Sequence, residues 1–174
     1  LRARLGVTGR AVVGFAGRFV EEKRPDLLVR ALPALAREHP TATVVFAGER
    51  HVGYERFFER QRALVAAAGD RVRFAGLVED PGELAAFYAA CDVLALPSDT
   101  ECFGLVQAEA MLCGTPVVAT DIPGARVPVR LTGMGALVPP RDPGALAAAL
   151  AAVLRDPERY RRPAAEIAAT FSLA

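Results

Sequence analysis

A buried strand that leads into a helix can be recognised in the residues Val93-Leu94-Ala95-Leu96-Pro97-Ser98-Asp99-Thr100-Glu101-Cys102-Phe103-Gly104-Leu105-Val106-Gln107-Ala108-Glu109-Ala110-Met111. Residues 93–96 form a short apolar run, and an apolar run of helix-forming residues opens at the Phe103-Gly104 pair. The first N–H groups of a helix have no acceptor within it, so a helix that starts at Gly104 offers a site for an anion. Glu101 stays in the loop, whereas Glu109 lies more than a turn inside the helix, which predicts carboxylates roughly 10 Å apart. Because a glycosidase carboxylate pair needs roughly 5–9 Å, this spacing instead suits two separate contacts on one long ligand with an anionic middle.

The composition predicts one domain without a membrane span. The chain has 174 residues, of which 52% are hydrophobic, and a formal net charge of +1, which argues against a general nucleic-acid surface. No apolar run is long enough to span a bilayer, and no signal-peptide pattern opens the sequence. The three cysteines, Cys91, Cys102 and Cys113, match no zinc spacing and predict reduced, mostly buried thiols in a cytosolic protein. We therefore expect a cytoplasmic location and no metal site.

Short apolar runs alternate with longer periodic runs along the whole chain. Residues 27–35, 84–91 and 146–154 carry the apolar stripes of amphipathic helices. The predicted strands are residues 11–16, 43–47, 72–75, 93–96, 116–119 and 136–138. These are near-continuous apolar runs rather than alternating ones, as parallel strands covered on both faces are. The pattern predicts an α/β, three-layer, Rossmann-like domain with a doubly wound parallel sheet of about six strands.

The glycines and polar residues concentrate where each predicted strand ends. Gly17-Arg18 follows the first strand, Gly48 the second, and Gly76 the third. Ligands of doubly wound sheets bind outside the carboxyl ends of the strands, and glycine lets backbone approach a ligand closely. The sequence therefore places the ligand site along this edge of the sheet.

Arg18 and Lys23 flank the first of these loops and could clamp a pyrophosphate. The alternative is a solvated loop in which Glu21 and Glu22 cancel the two positive charges. Asp26 is interpreted as a cap of the helix that follows.

The second group of candidates surrounds the helix that follows Gly104. The backbone amides of Phe103, Gly104 and Leu105 could bind anionic oxygens, although an ordinary helix start with Phe103 in the core explains them as well. Glu109 stands beside a buried stripe, where a carboxylate needs a partner, and ribose hydroxyl groups are suitable donors. His39 and His51 are interpreted as surface residues.

Taken together, these residues resemble the C-terminal, donor-binding half of retaining glycosyltransferases of the GT-B fold, in the large family with the E-x7-E motif (group 1, family 4). The resemblance covers nearly the whole chain, from about residue 12 to residue 157. It is carried by Gly17-Arg18 with Lys23, Val44-Val45-Phe46-Ala47-Gly48, Val72-Arg73-Phe74-Ala75-Gly76, Tyr88-Ala89-Ala90-Cys91-Asp92-Val93, Leu96-Pro97-Ser98, Glu101-x-Phe103-Gly104, Glu109-Ala110-Met111, Gly114-Thr115-Pro116-Val117-Val118-Ala119-Thr120 and Leu137-Val138-Pro139-Pro140.

The resemblance implies transfer of a sugar from a UDP-, GDP- or ADP-sugar with retention of the anomeric configuration, without a metal or other cofactor. It implies that Arg18 and Lys23 bind the diphosphate and stabilise the departing nucleoside diphosphate, and that Glu101 faces the sugar. These three residues would be the catalytic ones, and Gly17 would belong to the substrate-binding site. Glu109 would bind the ribose. The amides of Phe103, Gly104 and Leu105 would contact sugar and phosphate, and the turn at Gly76, Leu77 and Val78 would hold the base.

The sequence departs from the family pattern at two loops. Arg24-Pro25 stands where a glycine commonly follows the lysine, which predicts a stiffer loop. The usual Gly-Gly-x-x-Glu loop reads Pro123-Gly124-Ala125-Arg126-Val127 and lacks the glutamate.

In domain terms, residues 1–10 are expected to be an interdomain linker remnant and residues 11–174 the nucleotide-sugar-binding domain. The acceptor-binding N-terminal domain would be a partner absent from this sequence, and any contact with a membrane would be peripheral and belong to that domain. Such a half would bind donor but transfer poorly by itself. The alternatives are a sugar-nucleotide epimerase or phosphorylase of similar fold, or a non-catalytic nucleotide-binding module.

Overall fold

The computed structural model of the protein describes residues 1–172, so the last two residues of the predicted domain, Leu173 and Ala174, lie outside the described residues. The strands are β1 Val12–Ala16, β2 Thr43–Ala47, β3 Val72–Gly76, β4 Val93–Leu96, β5 Val117–Thr120 and β6 Gly135–Val138. The helices are α1 Pro25–Glu38, α2 Phe57–Ala67, α3 Pro81–Ala90, α4 Leu105–Leu112, α5 Arg126–Thr132, α6 Pro143–Arg155 and α7 Ala164–Phe171.

The six strands form one parallel sheet with the order β3-β2-β1-β4-β5-β6. This is the order of a doubly wound Rossmann sheet. All six strands lie within one residue of the predicted ranges. The predicted α/β, three-layer class and the six-stranded parallel sheet are confirmed.

Two apolar layers cover the sheet, one on each face. The side chains of α1, α2 and α6 pack on one face, where six phenylalanines contribute rings. The side chains of α3, α4, α5 and α7 pack on the other face. Burial on both faces explains why the strand residues are apolar without alternation.

Two of the helices begin with the same local chemistry. Asp80 precedes Pro81 at the start of α3 and accepts a hydrogen bond from the Glu83 N–H at 2.8 Å. Asp142 precedes Pro143 at the start of α6 and accepts one from the Ala145 N–H at 2.9 Å. An aspartate cap followed by proline satisfies a free N–H and presets the first helical turn.

Asp26 does not cap α1, contrary to the sequence interpretation. Pro25 already occupies the first helical position, so Asp26 lies inside the first turn and is 1% exposed. The residue before the helix is Arg24, whose backbone is left-handed with φ 49°.

The first ten residues pack on the domain. Val7 is buried among the side chains of the second apolar layer, and Arg2 forms an ion pair with Asp92 at 2.7 Å. The assignment of residues 1–10 to an interdomain linker stays a prediction. Within residues 1–172, no helix combines the length and the apolar character that crossing a membrane requires.

Candidate functional site

The loops after β1 and β4 lie side by side where the strand order changes direction. β1 and β4 are neighbours in the sheet, but α1 and α4, which follow them, pack on opposite faces. The two loops therefore diverge and leave a crevice, which is the usual ligand position in doubly wound folds. Both of the loops that carried most of the sequence candidates border this crevice.

Two adjoining cavities open along the crevice. Cavity I has a volume of about 410 Å³ and cavity II about 460 Å³. Both are lined by Ala16, Gly17, Arg18, Leu105 and Val106. Cavity I continues to Gly48, Leu77, Val78, Leu84, Tyr88 and Glu109, and cavity II continues to Lys23, Leu96, Glu101, Cys102, Phe103 and Gly104. The structure thus brings together ten of the eleven candidate residues, with Glu109 and Glu101 in different cavities.

Gly76 is the one candidate that lines neither cavity. Its carbonyl oxygen accepts a hydrogen bond from the Gly48 N–H at 2.8 Å, and its φ of 81° turns the chain into the cavity wall. Leu77, the next residue, is 65% exposed although it is apolar. Gly76 therefore shapes the wall that Leu77 and Val78 provide.

Gly48 permits the close approach of the loops after β1 and β2. A Cβ atom at Gly48 would lie 2.1 Å from the carbonyl oxygen of Gly17, closer than any real contact, and its φ of 136° also favours glycine. The backbone at Gly17 is therefore accessible from cavity I because no side chain stands between these loops.

Lys23 and Glu101 form an ion pair inside cavity II. The Lys23 Nζ atom lies 2.8 Å from Glu101 Oε2, and the two side chains are 25% and 14% exposed. The other carboxylate oxygen of Glu101 accepts a hydrogen bond from the Cys102 N–H at 3.1 Å. The pair places one positive and one negative group in the same wall of the cavity.

Glu21 does not cancel the charge of Arg18 or Lys23, because its carboxylate forms an ion pair with Arg60 at 2.7 Å. Glu22 contributes its carbonyl oxygen to this loop, where it accepts from the Asp99 N–H at 2.8 Å. Arg18 is exposed, and its guanidinium donates a hydrogen bond to the Tyr54 hydroxyl beside the Tyr54 ring. The loop is therefore ordered by contacts that leave Arg18 and Lys23 directed to the cavities.

Glu109 is held by a buried tyrosine at the far end of cavity I. The Tyr88 hydroxyl donates to Glu109 Oε2 at 2.6 Å, and Tyr88 is 1% exposed. Burial raises the pKa of Tyr88, and the hydrogen bond to Glu109 together with the carboxylate charge raises it further, so the phenol remains a donor. Sequence reasoning placed Tyr88 in the apolar stripe of α3 and in a motif of the family resemblance, without a role in the site. Its i+4 position after Leu84 indicated burial, but nothing in the sequence indicated its contact with Glu109.

The start of α4 presents free backbone amides to cavity II. Gly104 precedes the helix with φ 76°, and a Cβ atom there would lie 2.8 Å from the Leu96 side chain. Within the described part of the chain, the N–H groups of Phe103, Gly104 and Leu105 have no hydrogen-bond acceptor. Phe103 is half-buried, and its ring packs edge-on against Phe171 of α7. This arrangement leaves the three amides available to an anion, and anion binding at the helix start stays a prediction.

Gly124, in the loop after β5, packs directly behind Glu101. A Cβ atom at Gly124 would lie 1.8 Å from the Glu101 carbonyl oxygen. The same loop is tied to α4, because the fully buried Gln107 side chain donates to the Ala125 carbonyl oxygen at 2.9 Å. Sequence reasoning gave this loop no role because it lacks the usual glutamate.

The cysteines and histidines take no part in the site chemistry proposed from the sequence. The three thiols are free as predicted, but only Cys91 is buried; Cys102 is exposed at the mouth of cavity II, and Cys113 is intermediate. His39 is half-buried at the end of α1 and contacts the Ala151 carbonyl oxygen, and His51 is exposed and bonded to Glu59. The expectation of mostly buried thiols was wrong because the loop before α4 faces the cavity rather than the core.

Comparison with known proteins agrees with this geometry. Residues 1–169 match the model of the family described as glycosyl transferases group 1. A D-inositol 3-phosphate glycosyltransferase of Kineococcus radiotolerans is 43% identical over 175 residues, covering 91% of this chain and 40% of the relative. The chain therefore spans about two fifths of the length of such relatives.

Solved structures with the same architecture hold nucleotides. Anabaena HepE in complex with UDP superimposes with a TM-score of 0.82 at 32% identity, over 97% of this chain and 45% of HepE. The HepE complex with UDP-glucose gives a TM-score of 0.81 at 31% identity, with the same shares of both chains.

Proposed function

Because this chain belongs to the family of group 1 glycosyl transferases, we propose that it forms the nucleotide-sugar-binding half of a glycosyltransferase with the GT-B fold. One observation carries the proposal. Arg18 and Leu105 line both of the adjoining cavities, Lys23 and the free amides of Phe103 and Gly104 border cavity II, and Glu109 and Glu101 lie in different cavities. A nucleotide-sugar has the matching form, with an anionic diphosphate between two groups rich in hydroxyls.

In this proposal the nucleoside occupies cavity I. Glu109, oriented by Tyr88, accepts hydrogen bonds from the ribose hydroxyls, since its second carboxylate oxygen has no partner within the described residues. The apolar side chains of Leu77 and Val78 cover the base. Because HepE was solved with UDP and UDP-glucose, uridine is the first base to test.

The diphosphate lies at the junction of the cavities and the sugar lies in cavity II. Arg18 and Lys23 pair with the phosphate oxygens, and the amides of Phe103, Gly104 and Leu105 donate to phosphate and sugar oxygens. Glu101 contacts the sugar and keeps Lys23 beside the leaving phosphate. These preorganised charges stabilise the negative charge that develops on the departing nucleoside diphosphate, and the chemistry we propose is transfer with retention of the anomeric configuration.

The acceptor site is assigned to another part of a longer protein. The chain spans 40% of the relative from Kineococcus, and Leu105, which lines cavity II, is exposed although it is apolar. We expect this half to bind the donor and to transfer poorly in the absence of the acceptor-binding domain.

Calorimetric titration with UDP, GDP, ADP and their glucose derivatives tests the proposal. A hydrogen bond to a charged group contributes about 1.5–3 kcal/mol, so Glu109→Ala and Arg18→Ala should each lower nucleotide affinity by roughly 10- to 100-fold. Glu166→Ala and Arg37→Ala remove the same types of side chain from exposed helix positions and should change nothing. Unaltered binding in both site variants, or no binding of any nucleotide by the parent chain, would contradict the proposal.

A second measurement separates transfer from the other reactions that this fold supports. The full-length protein is incubated with UDP-glucose without an acceptor, and the sugar is followed by NMR. A transferase should return intact donor or slow hydrolysis, whereas inversion at a sugar carbon would indicate an epimerase, and glucose 1-phosphate formed only with added phosphate would indicate a phosphorylase.

A further inference from the structure

Arg24 adopts a backbone conformation that its side chain disfavours. Its φ is 49° and its ψ is 43°, in the left-handed region, and the resemblance described above puts a glycine at this position. A residue with a Cβ atom persists in that region only when its surroundings hold it there. The side chain of Arg24 must therefore make contacts that offset the backbone cost.

Those contacts are made with two aspartates. The Arg24 Nε and Nη2 atoms donate to the two carboxylate oxygens of Asp26 at 3.1 and 3.0 Å, and the Nη1 atom lies 3.5 Å from Asp99 Oδ2. The side chains of Arg24, Asp26 and Asp99 are 19%, 2% and 16% exposed. Burial acts to lower the pKa of Arg24, but the hydrogen bond and charge of Asp26 and the charge of Asp99 outweigh it and raise the pKa. This is a partly buried, fork-shaped network rather than an isolated surface pair.

Asp99 is held from a third loop as well. The Arg141 Nε atom lies 3.1 Å from both carboxylate oxygens of Asp99, and its Nη2 atom lies 3.0 Å from Oδ2. Arg141 stands between β6 and α6 and is the other non-glycine residue with a positive φ, 58°, within residues 1–172. Asp99 thus joins the loops that follow β1, β4 and β6.

The network lies directly behind the ion pair of cavity II. Arg24 follows Lys23, and Asp99 precedes Glu101 by two residues. The same two loops are joined by three contacts: Arg24 to Asp99, the Asp99 N–H to the Glu22 carbonyl oxygen at 2.8 Å, and Lys23 to Glu101. A rigid link one or two residues from each partner restricts how far Lys23 and Glu101 can separate.

We propose that Arg24 and Asp99 are positioning residues that fix the spacing of Lys23 and Glu101 before the donor binds. The inference rests on the proposed function for its purpose, but its geometry can be tested without a ligand. The arginine replaces the conformational freedom of glycine with an ionic link between the two loops, so the loops are preorganised at the place where diphosphate and sugar would meet.

Amide hydrogen exchange of the ligand-free chain is the first test. In Asp99→Asn, the amides of position 99 and of Arg24, which donate to the Glu22 and Glu21 carbonyl oxygens, should exchange at least tenfold faster. The Leu94 amide in the core of the sheet serves as the internal reference. Glu38→Gln, which removes an exposed ion pair with Arg155, is the matched control and should leave all of these rates unchanged.

Arg24→Gly separates the ionic link from backbone strain. Glycine adopts φ 49° without cost, so if only the backbone conformation matters, this variant should match the parent or exceed its protection. The proposal expects the opposite, with the amides at positions 24 and 99 exchanging at least tenfold faster. Asp99→Glu keeps the charge and should restore a part of the protection that Asp99→Asn loses. Rates within twofold of the parent in both Asp99→Asn and Arg24→Gly would overturn the proposal.

Calorimetry with UDP and UMP then distinguishes positioning from general loss of structure. Because Lys23 is proposed to contact the diphosphate, both variants should lose at least fivefold in UDP affinity while UMP affinity stays within twofold. Equal losses for UDP and UMP would indicate a merely structural role and overturn the proposal. A parent chain that binds neither nucleotide would refute the proposed function instead, and the exchange rates would still decide whether the network holds the two loops.

Discussion

Gly124→Ala is expected to disturb Glu101 without touching the ligand cavity. The added Cβ atom would lie 1.8 Å from the Glu101 carbonyl oxygen and 2.6 Å from the carbonyl carbon and oxygen of Cys102. The φ of Gly124 does not lie in the left-handed region, so alanine meets no backbone strain there and the effect is purely steric. One of the two loops must move away by more than about 1 Å to restore an ordinary contact.

The loop of Gly124 is the less able of the two to move. Ala125 is fully buried, its carbonyl oxygen accepts from Gln107, and α5 begins at the next residue. The loop of Glu101 borders the open space of cavity II, so a shift in that direction meets no packed core and is opposed by the contacts with Lys23 and through Asp99. A displacement of this size would separate Glu101 from Lys23, whose charged atoms are now 2.8 Å apart.

Two magnitudes follow for Gly124→Ala. Overpacking of a well-packed site costs about 1–3 kcal/mol, which for a chain of this size lowers the melting temperature by roughly 2–10 °C. Loss of a hydrogen bond to a charged group costs about 1.5–3 kcal/mol, or roughly 10- to 100-fold in affinity, and because Glu101 is assigned to the sugar, the loss should fall on UDP-glucose more than on UDP.

Thermal unfolding and calorimetry with both ligands measure these effects. Gly53→Ala is the matched control, since a Cβ atom at Gly53 meets no other atom within 4 Å and its φ is not positive. If Gly124→Ala melts within 1 °C of the parent and binds UDP-glucose with parental affinity, then the contact with Glu101 does not hold that loop in place.

Two further predictions concern the buried tyrosine and the thiols. Tyr88→Phe keeps the ring but removes the hydroxyl that donates to Glu109. UDP affinity measured by calorimetry should therefore fall roughly 2- to 10-fold, with little change in melting temperature. Unchanged affinity would show that the Tyr88 hydroxyl is not needed to orient Glu109. Burial, followed by the nearby charge of Asp92, raises the pKa of Cys91 to about 12, so at pH 8 its thiolate fraction is very small. In native protein treated with iodoacetamide at pH 8, mass spectrometry should find Cys102 modified and Cys91 unmodified. UDP-glucose should protect Cys102, which lines cavity II. Equal labelling of the two cysteines would contradict this account.

The sheet could be predicted from the sequence because burial on both faces leaves a direct signature. The four inner strands β1, β2, β4 and β5 are buried throughout and consist almost entirely of apolar residues, since a strand covered on both sides tolerates few others. Helix α2 gave no comparable signal, since only Phe57 and Phe58 of its residues are buried and the rest are mixed with charges. Helix α5 is short and contains a proline, which obscured it in the same way.

The candidate site likewise contains some residues that the sequence reveals and others that it does not. Glycines and charges that end a strand are visible in the sequence, and Gly17, Arg18 and Glu101 were found because strand ends converge at one edge of a parallel sheet. Tyr88 and Gly124 were not found, because their roles depend on which atom of a distant element they meet. Neither contact leaves a local pattern, since Tyr88 has the spacing of a core residue and Gly124 that of a turn.

Arg24 shows how a departure from a family pattern can be interpreted only with coordinates. In the sequence, Arg24-Pro25 indicates a stiff loop and a lost glycine. In the structure, the arginine keeps the left-handed conformation that a glycine would adopt and adds an ionic contact with Asp99 that a glycine cannot make. The substitution therefore preserves the path of the chain while changing what holds it. Since Arg24 directly follows Lys23, and Asp99 lies two residues before Glu101, this difference acts on the spacing of Lys23 and Glu101, the two groups closest to the proposed sugar and diphosphate.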